Sequence, residues 1–160
     1  MATLAFFLHH EHHEAVDLSR RAAAWLQERG HAVRLPARDA ELAGLAELGA
    51  VGDELVLGLD VAVSLGGDGT MLRTVDAVAD HRVPVIGVNL GHLGYLTEVD
   101  PANVLVALKR FLAGSYQVSE RMRLAVAIES MSMSMPPAGT FAALNETVVG
   151  KTPTGQIVHV

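Results

Sequence analysis

The feature of this chain that most constrains its fold is a glycine-rich turn between an apolar run and a helix-like stretch. Residues 64–70 read Ser-Leu-Gly-Gly-Asp-Gly-Thr, after a run that starts at Leu59 and before residues 71–79. A buried strand that ends on glycines and then opens a helix presents free backbone N–H groups to an anion. The pattern predicts a strand over 59–65, a helix over 70–79 and a phosphate-binding turn between them.

Strand and helix patterns alternate over the first 118 residues. The other predicted strands are 3–8, 32–35 and 83–88, and the other predicted helices are 15–29, 39–48 and 101–113. The strands are almost entirely apolar, as expected when both faces of a sheet are covered. We therefore expect an α/β fold, a Rossmann-like parallel sheet covered by helices, whose ligands lie at the carboxyl ends of the strands.

The pattern changes near residue 118. Leu124, Val126 and Ile128 alternate with other residues, and residues 144–149 and 157–160 also read as strands with no helix between them. Residues 130–139, which are low in complexity, read as a loop. We expect an α/β domain over 1–118 and, over 119–160, the incomplete start of a β-rich, sandwich-like antiparallel domain.

Composition narrows the classes of function. The chain has no cysteine, which excludes disulfides and thiolate metal sites, and it lacks an apolar run near the ~20 residues of a spanning helix. Its formal charge of −6 opposes broad contact with nucleic acid or an anionic membrane. We expect a cytoplasmic protein with a small phosphorylated ligand, no nucleic acid and no membrane partner.

The residues of the turn suggest how such a ligand is held. Gly66, Gly67 and Gly69 can adopt positive φ angles and let a ligand approach the main chain, and Thr70 lies where a residue can cap the following helix. A helix N-terminus stabilises an anion by only about 0.3 to 2 kcal/mol, so several N–H groups and Mg²⁺ would act together on a triphosphate. The equal alternative is a tight turn with Asp68 as a capping residue.

A second glycine-rich segment favours the functional interpretation. Residues 87–98 read Gly-Val-Asn-Leu-Gly-His-Leu-Gly-Tyr-Leu-Thr-Glu and again follow a predicted strand, so the two turns should lie side by side. Further on, Asn145 and Glu146 interrupt an apolar strand with an amide and a carboxylate that suit paired ribose hydroxyls. Taken alone, such a pair is typical of a surface turn.

Together and in this order, the three segments resemble the NAD kinase family, and residues 120–124, Glu-Arg-Met-Arg-Leu, are similar to the opening of that family's second domain. The resemblance implies transfer of a terminal phosphoryl group from ATP, or from polyphosphate in some members, to the 2′-hydroxyl of the adenosine ribose of NAD. The product would be NADP. The resemblance also implies Mg²⁺ with ATP and a homo-oligomer of the full-length protein.

The resemblance further implies individual roles. Asp68 is the acid that orients and deprotonates the ribose hydroxyl, Tyr95 packs on the adenine of NAD, and Asn145 with Glu146 grips the dinucleotide. The remaining candidate binding residues are Gly66, Gly67, Gly69, Thr70, Arg73, Asn89 and Gly91. Gly67 and Gly69 would line the phosphate path, and Arg73 has a solvated helix face as its equal alternative.

Three alternatives stay open. Residues 152–155 read Thr-Pro-Thr-Gly as in a later family motif but continue differently, which indicates a hairpin turn and a chain that lacks part of its site. One rival to an active NAD kinase is therefore a nucleotide-binding remnant without turnover. Another is a lipid kinase that shares Gly-Gly-Asp-Gly-Thr, which the match of residues 87–98 to the NAD kinase pattern disfavours. Residues 9–14, His-His-Glu-His-His-Glu, suit a metal ion, but a solvated loop and first helical turn are the favoured interpretation.

Overall fold

The computed structural model describes residues 1–91, 94–128, 139–144 and 146–147, and the chain divides into two compact units, Met1–Val118 and Ser119–Val160. In the first unit the strands are β1 (Thr3–Leu8), β2 (Ala32–Pro36), β3 (Gly49–Ala50), β4 (Val61–Gly66) and β5 (Val85–Asn89). The helices are α1 (His13–Gln27), α2 (Ala37–Ala43), α3 (Asp53–Val56), α4 (Asp68–Val78) and α5 (Val104–Leu112).

The five strands form one parallel sheet in the order β3-β2-β1-β4-β5. Every residue of β4 is buried, and β4 lies between β1 and β5. Parallel neighbours need a crossover connection, which α4 supplies between β4 and β5. The predicted α/β fold with a helix-covered parallel sheet is confirmed.

Successive strand residues point to opposite faces of the sheet, and each face has its own helices. On one face, Phe6 and Val63 pack with residues of α1, α2 and α5. On the other face, Phe7 and Ala62 pack with residues of α3 and α4. The sheet is therefore buried on both sides, which explains why its strands read as continuous apolar runs.

Some predicted boundaries are wrong. The helix expected over 39–48 is α2 followed by a separate 3₁₀ turn, Ala46–Leu48, because Gly44 adopts a left-handed conformation with φ 64° and ends α2. The helix expected from residue 70 starts at Asp68. The short elements β3 and α3 were not predicted, since they span only 2 and 4 residues and carry no periodicity of their own.

The described part of the second unit is an antiparallel pair, β6 (Leu124–Ile128) with β7 (Gly139–Ala143). The alternation that predicts β6 is confirmed. The strand expected over 144–149 is wrong where it is described, because Leu144 is a bend and residues 146–147 are not in a strand. The rest of that strand, the strand over 157–160, the motif at 152–155 and most of the predicted loop lie outside the described residues.

Within the residues that the structure describes, none of the helices is long and apolar enough to cross a membrane.

Candidate functional site

The two glycine-rich loops meet at the carboxyl edge of the sheet. Gly66 and Asn89, the last residues of β4 and β5, are register partners, so the loops that follow them start next to each other. Across this edge the Leu90 N–H donates to the Gly66 carbonyl at 3.1 Å. The expectation that the two turns lie side by side is therefore confirmed.

Asp68 joins the two loops directly. It is the first residue of α4 and is partly buried. Its Oδ2 accepts the Tyr95 N–H and its Oδ1 accepts the Leu96 N–H, both at 3.1 Å. A carboxylate has about four lone-pair sites, so these two bonds fix its direction and leave each oxygen able to accept another donor. The side chain is oriented before any ligand arrives.

Gly94 is the position that allows the Asp68 carboxylate to come this close. A Cβ at residue 94 would lie 2.6 Å from Asp68 Oδ1 and 2.7 Å from Thr97 Oγ1. Both separations are well below the C···O distance of about 3.3 Å at which ordinary contacts begin. Any side chain at this position would therefore displace the carboxylate or the hydroxyl.

The glycines of the Gly-Gly-Asp-Gly turn do not adopt the positive φ angles that are open to glycine. In the first unit the glycines with positive φ are Gly30, Gly44, Gly52, Gly58 and Gly114, and the three glycines of the turn are not among them. At Gly66 the reason for glycine is space, because a Cβ there would overlap Thr70 Oγ1. At Gly67 and Gly69 a Cβ would meet nothing within 4 Å. These two positions therefore face open space, which suits the approach of a ligand to the main chain.

Thr70 is not the helix cap. The cap residue of α4 is Gly67, which has no side chain to accept a hydrogen bond, and Thr70 lies one turn inside the helix. Thr70 is 5% exposed, and its carbonyl accepts the Thr74 hydroxyl at 2.8 Å. Its side chain fills the space that Gly66 leaves. A direct role of Thr70 in ligand binding stays a prediction.

The second loop presents an aromatic ring to solvent. The Tyr95 side chain is 90% exposed, although its N–H is held by Asp68. At the start of the loop, Asn89 Oδ1 accepts the Gly91 N–H at 3.2 Å, which closes a local turn. Gly91 is exposed, and a Cβ there would meet nothing within 4 Å. The binding roles of these three residues stay predictions.

Arg73 was expected either to bind phosphate or to lie on a solvated helix face, but in the structure it has protein partners. Its guanidinium donates to Asp39 Oδ2 at 3.0 Å and Oδ1 at 3.3 Å, and to the Leu8 carbonyl. Asp39 is completely buried and also accepts the Leu8 N–H at 2.7 Å. His10 Nε2 lies 2.9 Å from Asp39 Oδ1 and 2.7 Å from Arg73 Nη1.

This ionic cluster ties α2 and α4 to the end of β1, so the solvated helix face proposed for Arg73 is wrong. The guanidinium side chain is still 39% exposed. Its use as a phosphate ligand stays a prediction. Sequence reasoning missed Asp39 because its partner Arg73 is 34 residues away and no local pattern marks the pair.

The other candidates divide between described and undescribed residues. Glu146 is exposed in the second unit, whereas Asn145 lies outside the described residues. In the histidine-rich segment, the His9 and His12 rings meet edge to face at 4.5 Å between centroids. In the part of the chain that the structure describes, no three histidine or acidic side chains converge as metal ligands would.

The fold and the paired loops define a Rossmann-like α/β domain with an oriented carboxylate at the carboxyl edge of its sheet. The family profile described as the ATP-NAD kinase N-terminal domain matches residues 4–116, more than half of the chain. The chain therefore belongs to the NAD kinase family, as its resemblance indicated.

Individual relatives agree with this membership. The chain is 38% identical over 164 residues to the NAD kinase of Heliobacterium modesticaldum, a match that covers 100% of this chain and 55% of that protein. It is 35% identical over 159 residues to the NAD kinase of Symbiobacterium thermophilum, covering 99% and 55%. The chain thus spans about half the length of the curated relatives it matches.

A solved structure supports the fold alone. The crystal structure of yeast NADH kinase complexed with NADH superposes with a TM-score of 0.75 at 18% identity. The superposition covers 91% of this chain and 47% of the yeast chain.

Proposed function

We propose that the full-length protein is an NAD kinase that transfers the terminal phosphoryl group of ATP, or of polyphosphate, to the 2′-hydroxyl of the adenosine ribose of NAD. The observation that carries this proposal is the Asp68 carboxylate, held by the Tyr95 and Leu96 N–H groups beside the open glycine turn. Family membership supports the substrates. The carboxylate supplies the acid–base group that such a transfer uses.

In the proposed reaction the 2′-oxygen attacks the terminal phosphorus of the donor. The bond between that phosphorus and its bridging oxygen breaks, ADP leaves when the donor is ATP, and the hydroxyl proton passes to Asp68. A positioned general base contributes about 10²- to 10⁴-fold, and the remaining acceleration comes from positioning and charge neutralisation. The two main-chain donors leave Asp68 with the acceptor capacity that this step requires.

The surrounding residues would bind the two substrates. Gly67 and Gly69 face open space and admit phosphates to the N-terminus of α4. The exposed Tyr95 ring is free to stack on adenine. Asn145 and Glu146 would hold the dinucleotide. Gly66, Thr70, Asn89 and Gly91 would shape the two loops.

The described residues also fit the expected magnesium. Mg²⁺ is usually held by substrate phosphates and waters with few protein carboxylates, so an ion that arrives with ATP needs no cluster of protein ligands, and the described residues hold none. When bound with ATP, the ion would neutralise charge on the phosphates. We further infer that the protein acts in the cytoplasm and as a homo-oligomer, which the absence of cysteine and the family resemblance support.

The proposal is tested by assaying the full-length protein with ATP or polyphosphate as donor and with NAD, diacylglycerol or sphingosine as acceptor. We expect NADP as the product, and we expect Asp68→Asn to lower kcat by about 10²-fold or more. Asp76→Asn, about two turns further along α4 on an exposed position, is the matched control and should keep its activity.

The contrary outcomes are distinct. Preference for a lipid acceptor would assign the protein to the lipid kinases that share the turn motif. Absence of product with either donor would leave a nucleotide-binding remnant, and calorimetry with NAD and with ATP would then measure what it binds. Near-normal kcat in Asp68→Asn would refute the base assignment.

A further inference from the structure

The hydroxyl of Thr97 is buried without a hydrogen-bond partner. Thr97 is 8% exposed, and its Oγ1 is one of two buried side-chain oxygens in the described residues that lack a partner, the other being Ser64 Oγ. An unsatisfied buried hydroxyl costs the folded state free energy, and natural proteins contain few of them. Such a group calls for a reason beyond packing, because valine would fill nearly the same volume without the polar atom.

The position of this hydroxyl suggests the reason. Thr97 follows Tyr95 and Leu96, whose N–H groups hold the Asp68 carboxylate. The missing side chain of Gly94 leaves one space that both Asp68 Oδ1 and Thr97 Oγ1 border, at 2.6 Å and 2.7 Å from the position of a Cβ. The unpartnered hydroxyl and the carboxylate oxygen therefore face the same gap.

We propose that Thr97 is a positioning residue for Asp68 in the phosphoryl transfer described above, an inference that rests on the proposed function. When the sugar hydroxyl engages Oδ2, the Thr97 hydroxyl donates a hydrogen bond to Oδ1 and keeps the carboxylate from rotating. The hydroxyl has one proton to donate, and Oδ1 retains an acceptor site beside its bond to the Leu96 N–H.

The proposed bond forms in the substrate complex and is absent from the free protein. The hydroxyl is unsatisfied in the free protein and gains a charge-assisted bond only when the carboxylate is in use. The proposed bond orients the base and touches no part of the substrate, so its loss misaligns proton transfer and lowers kcat while KM stays near its value. Removal of the Thr97 hydroxyl should therefore lower kcat. The free-energy cost of burying that hydroxyl without a partner should appear in the stability of the free protein.

The test compares two variants of the full-length protein. Thr97→Val keeps the shape and removes the hydroxyl, while Thr97→Ser keeps the hydroxyl and removes the methyl group. We expect Thr97→Val to lower kcat by about 10- to 100-fold with the KM for NAD within about twofold of wild type, and not to lower the unfolding temperature. Thr97→Ser should keep most of kcat.

Other results overturn the inference. If Thr97→Val keeps kcat within twofold, or if both variants lose activity together with unfolding temperature, Thr97 is a packing residue. If the wild-type protein forms no NADP, both the proposed function and the inference about Thr97 that rests on it are refuted. Normal turnover in both wild type and Thr97→Val would refute the inference about Thr97 and leave the proposed function in place.

Discussion

Replacing Gly94 with alanine is the sharpest perturbation that the geometry offers, because one methyl group is added beside the Asp68 carboxylate. The new Cβ would lie 2.6 Å from Asp68 Oδ1, so the atoms must separate by about 0.7 Å to reach an ordinary contact. That movement strains the hydrogen bonds from the Tyr95 and Leu96 N–H groups. Hydrogen bonds to a charged acceptor contribute about 1.5–3 kcal/mol each, so we expect a loss of about 2–3 kcal/mol in unfolding free energy.

The effect on catalysis should be larger than the effect on stability. A misplacement of about 1 Å can cost about 10²-fold in rate, and we expect a fall in kcat of that order in full-length Gly94→Ala. Denaturant unfolding of the 160-residue chain measures the change in unfolding free energy. Gly91→Ala in the same loop is the control for that unfolding measurement, because its Cβ would meet nothing within 4 Å.

A double-mutant cycle separates this mechanism from general damage to the loop. Asp68→Ala removes one of the two atoms that the new Cβ would meet, while the 2.7 Å approach to Thr97 Oγ1 remains, so the alanine should cost less stability there than in wild type. Equal costs in the two backgrounds would refute the reasoning, and so would a Gly94→Ala protein with kcat within twofold of wild type.

Two further predictions concern residues around the site. Tyr95→Ala should raise the Kd for NAD about tenfold by calorimetry on the full-length protein and leave its unfolding temperature unchanged, because the ring is 90% exposed and stacking contributes about 1–3 kcal/mol; an unchanged Kd would end the stacking assignment. Asp39→Asn should cost about 2–3 kcal/mol of unfolding free energy, below the usual figure for a broken buried pair because Arg73 is partly exposed. Its control is Asp17→Asn, which breaks a surface pair with Arg20 and should cost less than about 1 kcal/mol; similar costs for the two changes would contradict the assigned role of the Asp39 cluster.

Every strand of the sheet except β3 could be predicted from the sequence, because each of these strands carries its own apolar signal. A strand such as β4 is apolar at nearly every position, and its turn follows at once in the chain. The end of α2 was harder to predict, because Leu42, Leu45 and Leu48 repeat as in a helix whereas Gly44 ends the helix. A short-range pattern does not show which glycine adopts a left-handed conformation.

The adjacency of the two glycine-rich loops was predictable from the sequence, whereas the contacts that hold Asp68 between them were not. Asp68 and the two loops follow from local motifs, but the contact between Asp68 and the loop spans 27 residues in sequence. The role of Gly94 depends on that long-range approach, as does the unpartnered hydroxyl of Thr97. Sequence spacing predicts which residues lie near the sheet edge, whereas only coordinates show which atoms meet there.

A crystal structure of the full-length protein with NAD tests the central claim most directly. We predict that an oxygen of the Asp68 carboxylate lies within about 2.6–3.2 Å of the adenosine 2′-hydroxyl, with the Tyr95 and Leu96 N–H groups still bound to that carboxylate. An adenosine ribose bound away from the two loops, or a carboxylate turned out of reach of its hydroxyl, would contradict the account.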